Sequence, residues 1–323
     1  MNGPTPRQPW KRVFGNMNRI LIVGCHGLLG QKLVETFSRQ AGYTLKLASI
    51  EDRSFFQETS LDYTQLDITS RNAVKGVVDQ FHPEVILNAA AYTDVDGCEK
   101  ERELAWRVNV GGVENLIAAA RGSQSKIVHI SSDYIFDGTN GPYSEEDTPH
   151  PLSYYGKTKL ASENALRGGD VPYSILRTMV LYGIARNVKS NFVLWVATSL
   201  RDGKRIRVVD DQIGNPTLAD DLAYAMLKVV ELNKTGVYHI CGPDLISRYD
   251  FALKIAQVFG GDEKLITPMK TSDFHQPAPR PLRSGFVILK AVTELGITTS
   301  GVVQGLQLMK RQIQLYAAFG PHE

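Results

Sequence analysis

The chain has little of what several large protein classes require. Its 323 residues hold only three cysteines, Cys25, Cys98 and Cys241, far apart and with no CxxC or Cys/His cluster at metal-ligand spacing. No disulfide framework or metal site is therefore expected, and free thiols suit a reducing, cytoplasmic compartment. No apolar run approaches the roughly 20 residues that a membrane helix needs. Charge of one sign is missing too, with 36 Lys and Arg against 34 Asp and Glu. Nucleic acid and anionic membranes select a concentrated basic footprint, so neither partner is expected. Repeats, heptads and low-complexity tracts are absent.

What remains is a regular alternation. RILIVG (19–24) is a short β-branched run, followed by a helical pattern over 28–40 and a second strand, TLKLAS (44–49). A helix pattern at 71–81 leads to EVILNAA (84–90), a helix at about 100–121 to KIVHISS (126–132), and another at about 154–167 to YSILRTMVLYG (173–183). Strands alternating with helices of this length imply βαβ units, hence an α/β fold with a doubly wound parallel sheet. Right-handed crossovers place every strand's C-terminal end on one rim, where ligands bind.

After Gly183 the rhythm weakens: an amphipathic stretch at 189–202, the segment RIRVVDDQIGNPT (205–217), a helix at 219–232, a strand at 236–242, then a loop-rich stretch at 262–290. The expected organisation is a dinucleotide-binding body from 17–183 plus about 205–242. A small substrate lobe would use about 184–204 and 243–323. Residues 1–16 are polar and proline-bearing, lack the apolar core of a signal peptide and read as a flexible extension.

The first strand runs into Gly24-Cys25-His26-Gly27-Leu28-Leu29-Gly30, a GxxGxxG spacing, and then a helix. The first glycine allows the tight turn, the second lets the backbone approach a pyrophosphate, and the third permits close helix–strand packing. The helix N-terminus offers free N–H groups to the phosphates. The loop, with His26, Leu28 and Leu29 between its glycines, is thus the candidate cofactor contact. The second strand ends at Ser49-Ile50-Glu51-Asp52-Arg53. An acidic residue there would hold the ribose 2′-OH of NAD, whereas Arg53 would accommodate the 2′-phosphate of NADP. Both are present; the reading leans to NADP and leaves NAD open.

The run Ser153-Tyr154-Tyr155-Gly156-Lys157-Thr158-Lys159 supplies chemistry for such a cofactor. Tyr155 and Lys159 are four apart, so on a helix they share one face. An ammonium beside a phenol stabilises the phenolate and lowers its pKa, fitting it to protonate a carbonyl oxygen as hydride reaches the carbon. Ser132, at the end of KIVHISS, offers that oxygen a second donor.

These segments resemble the extended short-chain dehydrogenase/reductases and, within them, the dTDP-4-dehydrorhamnose reductases. The resemblance runs from about Asn18 to Ile297 and rests on GCHGLLG, NAAAYTDVDGCE (88–99), Asn109 in RVNV, the run 131–163, LRTMVLYG (176–183), VDDQIGNPT (209–217) and the Arg280-Pro281 pair. It implies a Rossmann-like fold and NAD(P)H-dependent reduction of the 4-keto group of a nucleotide-linked deoxy sugar, dTDP-4-dehydro-L-rhamnose first.

By that resemblance Tyr155 is the general acid, Ser132 orients the carbonyl, and Lys159 also bonds the nicotinamide ribose. Asp67 and Ile68 would lie near the adenine, and Ala89, Ala90, Ala91 and Tyr92 along the ribose and phosphate path. Tyr134, Asn191, Gln212 and Arg280 are the candidates for substrate contact, and a homodimer is implied by the resemblance alone. After Pro281 the chain departs from the family, carrying Phe286-Val287 in place of a Leu-Asp pair. Two alternatives stay open: a reductase of another nucleotide-linked keto sugar, and a non-catalytic cofactor-binding subunit like the regulatory subunit of methionine adenosyltransferase.

Overall fold

The structure, a computed structural model, describes residues 19–56 and 61–319, so the expected extension at 1–16 lies outside the described residues. The first half comprises β1 (Arg19–Val23), α1 (Leu28–Ser38), β2 (Thr44–Ser49), β3 (Asp62–Gln65), α2 (Arg71–Phe81), β4 (Val85–Asn88), α3 (Val95–Lys100), α4 (Arg102–Trp106), α5 (Gly112–Ser123) and β5 (Lys126–Ser132). The chain continues with α6 (Tyr154–Arg167), β6 (Tyr173–Thr178), β7 (Leu181–Tyr182), α7 (Phe192–Arg201), β8 (Ile206–Val209), β9 (Ile213–Gly214) and β10 (Thr217–Leu218). It ends with α8 (Ala219–Glu231), β11 (Gly236–His239), β12 (Ile246–Ser247), α9 (Arg248–Phe259), β13 (Ile266–Met269), α10 (Leu289–Leu295) and α11 (Val302–Phe319).

Seven strands form one parallel sheet in the order β11-β6-β5-β4-β1-β2-β3. Such strands are covered on both faces and so read as continuous apolar runs. Within β1, Ile20 and Ile22 pack towards Leu33, Phe37, Leu222 and Met226 of α1 and α8. Leu21 and Val23 face the other way, onto Val74 and Val78 of α2 and Leu116 of α5. The order reverses between β1 and β4, which opens a crevice beyond their C-terminal ends.

The stretch from 205 divides differently from the expected grouping. β8 leaves the large sheet and pairs with β13, while only α8 and β11 return to it. The reason is packing: Ile206 and Val208 bury against Val193, Val196, Phe251 and Ile255 of α7 and α9, with Leu306 and Met309 of α11 closing the cluster. The expected helix at 100–121 is likewise divided into α3, α4, a π turn at Arg107–Gly111 and α5.

Beneath the rim lies a charged anchor. Arg177 of β6 donates to both oxygens of Glu163 of α6, at 2.9 and 2.8 Å, and both side chains are out of solvent. Replacing Glu163 with Gln leaves that guanidinium buried without its counter-charge. E163Q should lower the unfolding free energy by about 3–5 kcal/mol, read from urea denaturation; a loss under about 1 kcal/mol would show that the pair is not an anchor.

Candidate active site

The glycine loop closes on itself at the crevice. Gly24 has φ +79°, and a Cβ on it would lie 2.6 Å from the Ala90 nitrogen. On Gly30 a Cβ would lie 2.0 Å from the Gly24 carbonyl oxygen. Neither position tolerates a side chain, because the chain's own backbone closes on it, whereas a Cβ on Gly27 would meet only the Gly24 carbonyl oxygen, at 3.5 Å. The loop so packed ends at the N-terminus of α1, a place suited to a pyrophosphate.

On the β2 side, the Glu51 carboxylate accepts from Ser49 Oγ at 2.5 Å and from the His26 Nδ1 side at 3.0 Å. Burial pushes its pKa up, but the Ser49 and His26 contacts outweigh that and hold it below the usual range. His26 Nε2 accepts from Phe55 N at 3.1 Å, and its ring stacks on Phe55 at 3.9 Å and on Tyr63 at 5.1 Å. Both ring nitrogens thus bond to this chain, in the neutral tautomer with the proton on Nδ1. Arg53 stands exposed beside them. Asp67 is exposed and accepts from Thr69 N, and buried Ile68 fills the space over Gly112.

On the β4 side, Ala89, Ala90, Ala91 and Tyr92 leave the sheet under the control of Asn109. Its Oδ1 accepts from Tyr92 N at 2.8 Å, and its Nδ2 donates to Tyr92 O and to Thr158 Oγ1, each at 3.0 Å. The π turn brings Asn109 inward to do this, and π turns concentrate at functional sites.

Ser153 caps α6, accepting from Gly156 N at 3.1 Å. The helix then sorts the two tyrosines. Tyr154 donates its N–H to Glu99 and lies under Arg102, away from the crevice. Tyr155 is buried, with its ring edge-on to Tyr134 at 5.5 Å. Lys159 donates to Ile130 O at 2.6 Å. Adjacent strand residues point to opposite faces, so of the serine pair only Ser132 turns to Tyr155. The Ser132 hydroxyl acts on the Tyr155 phenol. Ser132 Oγ also donates to Asp133 at 3.1 Å and accepts from Tyr134 N at 3.3 Å.

The expected electrostatics needs correction. Burial drives the Tyr155 phenol well above its ordinary pKa; the Ser132 hydrogen bond opposes that, and Lys159 is not among the groups acting on it. The ammonium donates to a backbone carbonyl, and among the described residues no hydrogen bond joins it to the phenol.

The four candidates for substrate contact separate. Tyr134 stands against Tyr155. Asn191 caps α7 through Leu194 N at 3.1 Å and donates to Gly183 O at 2.7 Å. Gln212 bonds Thr271 and Gln276 across the small lobe. Arg280 forks onto Asp96 of α3 at 2.9 and 2.7 Å. Sequence reasoning missed Asp133, a buried carboxyl whose Oδ2 accepts from Ser284 at 2.6 Å, and Arg248. Asp133's place directly after Ser132 was the available signal for it; Arg248 had none. Phe286, at the departure from the family pattern, stacks on His239 at 3.9 Å and is a core residue. Among the described residues no group of three or more His, Cys, Asp or Glu could hold a metal, and no helix is long and apolar enough to cross a membrane.

Residues 17–314 match the family described as RmlD substrate binding domain. The chain is 36% identical to a dTDP-4-dehydrorhamnose reductase of Aggregatibacter actinomycetemcomitans, over 93% of this chain and 100% of the relative. It is 31% identical to methionine adenosyltransferase 2 subunit beta of Xenopus laevis, over 81% of this chain and 78% of the relative. The solved dTDP-4-dehydrorhamnose reductase of Bacillus anthracis, in complex with NADP, superposes with a TM-score of 0.79 at 30% identity, covering 92% of this chain and 100% of that one.

Burial pulls the Lys159 pKa from 10.5 down to about 8, with Glu163 acting the other way. The unfolded chain therefore binds more protons between about pH 8 and 10.5, so stability rises with pH across that window. Buried Lys126, also lowered to about 8, adds to the same rise. Lys159→Met should flatten it, measured by urea unfolding of the cofactor-free protein at about pH 8 and pH 10; an unchanged slope would show that Lys159 does not titrate there.

Proposed function

The chain belongs to the dTDP-4-dehydrorhamnose reductase family, and from that premise we propose that it reduces the 4-keto group of a nucleotide-activated deoxy sugar with NADPH, dTDP-4-dehydro-L-rhamnose being the first candidate. What carries the reading is the meeting of Tyr155, Ser132 and Lys159 at the C-terminal end of β5, beside a glycine loop whose Gly24 and Gly30 admit no side chain. The loop, the small side chains of Ala89, Ala90 and Ala91, and exposed Arg53 fit a dinucleotide. When bound, NADPH supplies the hydride that the carbonyl carbon accepts.

In this reading Tyr155 gives its phenolic proton to the carbonyl oxygen. The raised pKa keeps that proton on the phenol at neutral pH, the form a general acid needs. Ser132 donates a second hydrogen bond to the same oxygen as charge develops there. Lys159, near its midpoint at pH 8, holds the nicotinamide ribose and is a reservoir from which the spent tyrosine is reprotonated. The seven-stranded body takes the cofactor, and the sugar nucleotide lies between it and the lobe of α7, α9 and the paired strands β8 and β13. A homodimer and a cytoplasmic location belong to this reading as expectations from the family.

NADPH oxidation at 340 nm, with the 4-keto sugar generated in situ, tests it. Tyr155→Phe should lower kcat by roughly 10²–10⁴-fold while cofactor binding persists. Wild-type protein that binds cofactor tightly yet turns over no dTDP-linked keto sugar would sink the rhamnose reading. Such a result would favour the partner-binding role suggested by the resemblance to the adenosyltransferase subunit.

Cofactor choice is tested separately. Arg53→Ala should raise KM for NADPH on the order of tenfold and leave NADH unchanged. Equal effects on both would move the selectivity to Glu51.

A further inference from the structure

We propose that Arg248, and not Arg280, is the guanidinium that receives the substrate's diphosphate. The proposal rests on the nucleotide-sugar reading and names the residue that would hold the nucleotide half. Arg280 is already committed. Its fork meets both oxygens of Asp96, it also donates to Ala278 O at 2.7 Å, and Ala278 N donates to the same carboxylate at 3.0 Å. Turning Arg280 to a phosphate would break a bidentate pair and strand the Asp96 carboxylate. Arg280 is better read as a clasp between the sheet body and the proline-rich segment.

Arg248 stands in the opposite condition. It opens α9, its backbone N–H fixed to Gln212 O at 3.0 Å and its guanidinium lying over the Phe192 ring at 5.2 Å. Among the described residues its guanidinium has no hydrogen-bond acceptor and no ion pair. Burial disfavours its charge; Tyr134 and Asp133 support that charge and Arg280 opposes it. Tyr134 and Asp133 act on Tyr155 as well. Asp133 does not take the fork: its oxygens accept from Ser132 and Ser284.

An arginine held over an aromatic ring, with its donors unfilled and a second cation nearby, suits a doubly charged anion whose oxygens accept a bidentate fork. A diphosphate meets that description. Phe192, which begins α7 beside Asn191, lies on the same side and marks where the nucleotide would enter.

Calorimetric titration of the full chain, saturated with NADP⁺, tests the assignment with dTDP, UDP and thymidine as probes. Wild-type protein should bind dTDP more tightly than thymidine, and Arg248→Ala should shrink that gain on the order of 10- to 100-fold. Arg248→Lys, which keeps the charge and loses the fork, should fall between and serves in its place if the alanine variant melts early. NADP⁺ affinity should be unchanged in both. A gain that survives Arg248→Ala, or a wild type that binds dTDP no better than thymidine, overturns the proposal. Failure of the reductase reading would look different: no keto-sugar turnover, with an Arg248-dependent gain for dTDP or UDP intact.

Discussion

The geometry of the site hangs on one buried amide. Asn109 uses its oxygen on Tyr92 N and its nitrogen on Tyr92 O and Thr158 Oγ1, and Thr158 in turn donates to the Tyr155 carbonyl at 2.8 Å. The loop that leaves β4 and the helix that carries Tyr155 are thereby set against each other by hydrogen bonds that run from the half-buried Tyr92 backbone to the buried Thr158, where each is costly to leave unmade. A regular α-helix through 107–111 would rotate this residue out of line. The π turn is what aims it, so the local irregularity is the condition for the regular parts to cooperate.

How much of this the sequence disclosed depends on the range of each interaction. The glycine cradle was legible because its requirements are local: a turn needing positive φ at Gly24 and a close approach at Gly30 are set by residues within one strand–loop–helix unit. The choice of Tyr155 over Tyr154 was equally local, since i, i+4 spacing on a capped helix decides it. The π turn was not legible, because RVNV has an ordinary helical composition and only Tyr92 and Thr158, distant in sequence, make the extra residue worthwhile. For the same reason β8 was grouped with the wrong body. Its alternating apolar residues fit either sheet, and the deciding contacts come from α9 and α11, which the sequence pattern did not single out. The electrostatics misled in a third way. Spacing brought Lys159 to the right face, yet the Ile130 carbonyl takes its ammonium, and burial rather than a neighbouring cation dominates the phenol.

The arginines illustrate why residue type and location do not fix a role. Arg280 and Arg248 share a residue type, and the sequence favours Arg280, which the family resemblance singles out and whose guanidinium suits phosphate oxygens. Partner geometry reverses the order. An arginine in a bidentate ion pair has its stabilisation already, and Asp96 is as much in need of it as any phosphate would be. An arginine resting on a ring with open donors gains whatever an incoming anion offers. The chain places the first where two bodies must be held together and the second where something must be admitted.

Ser132 shows the same logic at the level of a single proton. A hydroxyl has one hydrogen, and here it is given to Asp133, while Tyr134 N–H donates to the oxygen. Donating to a substrate carbonyl and donating to Asp133 are mutually exclusive. Asp133, raised by burial and restrained by Ser284 and Ser132, is therefore the group whose hydrogen bonding decides whether the serine is free. Its other oxygen is held by Ser284, whose own N–H donates to Ile213 O in the small lobe at 3.1 Å. One carboxyl thus joins the lobe that would hold the sugar to the hydroxyl that would meet its carbonyl, and a shift of that lobe reaches Ser132 through three hydrogen bonds.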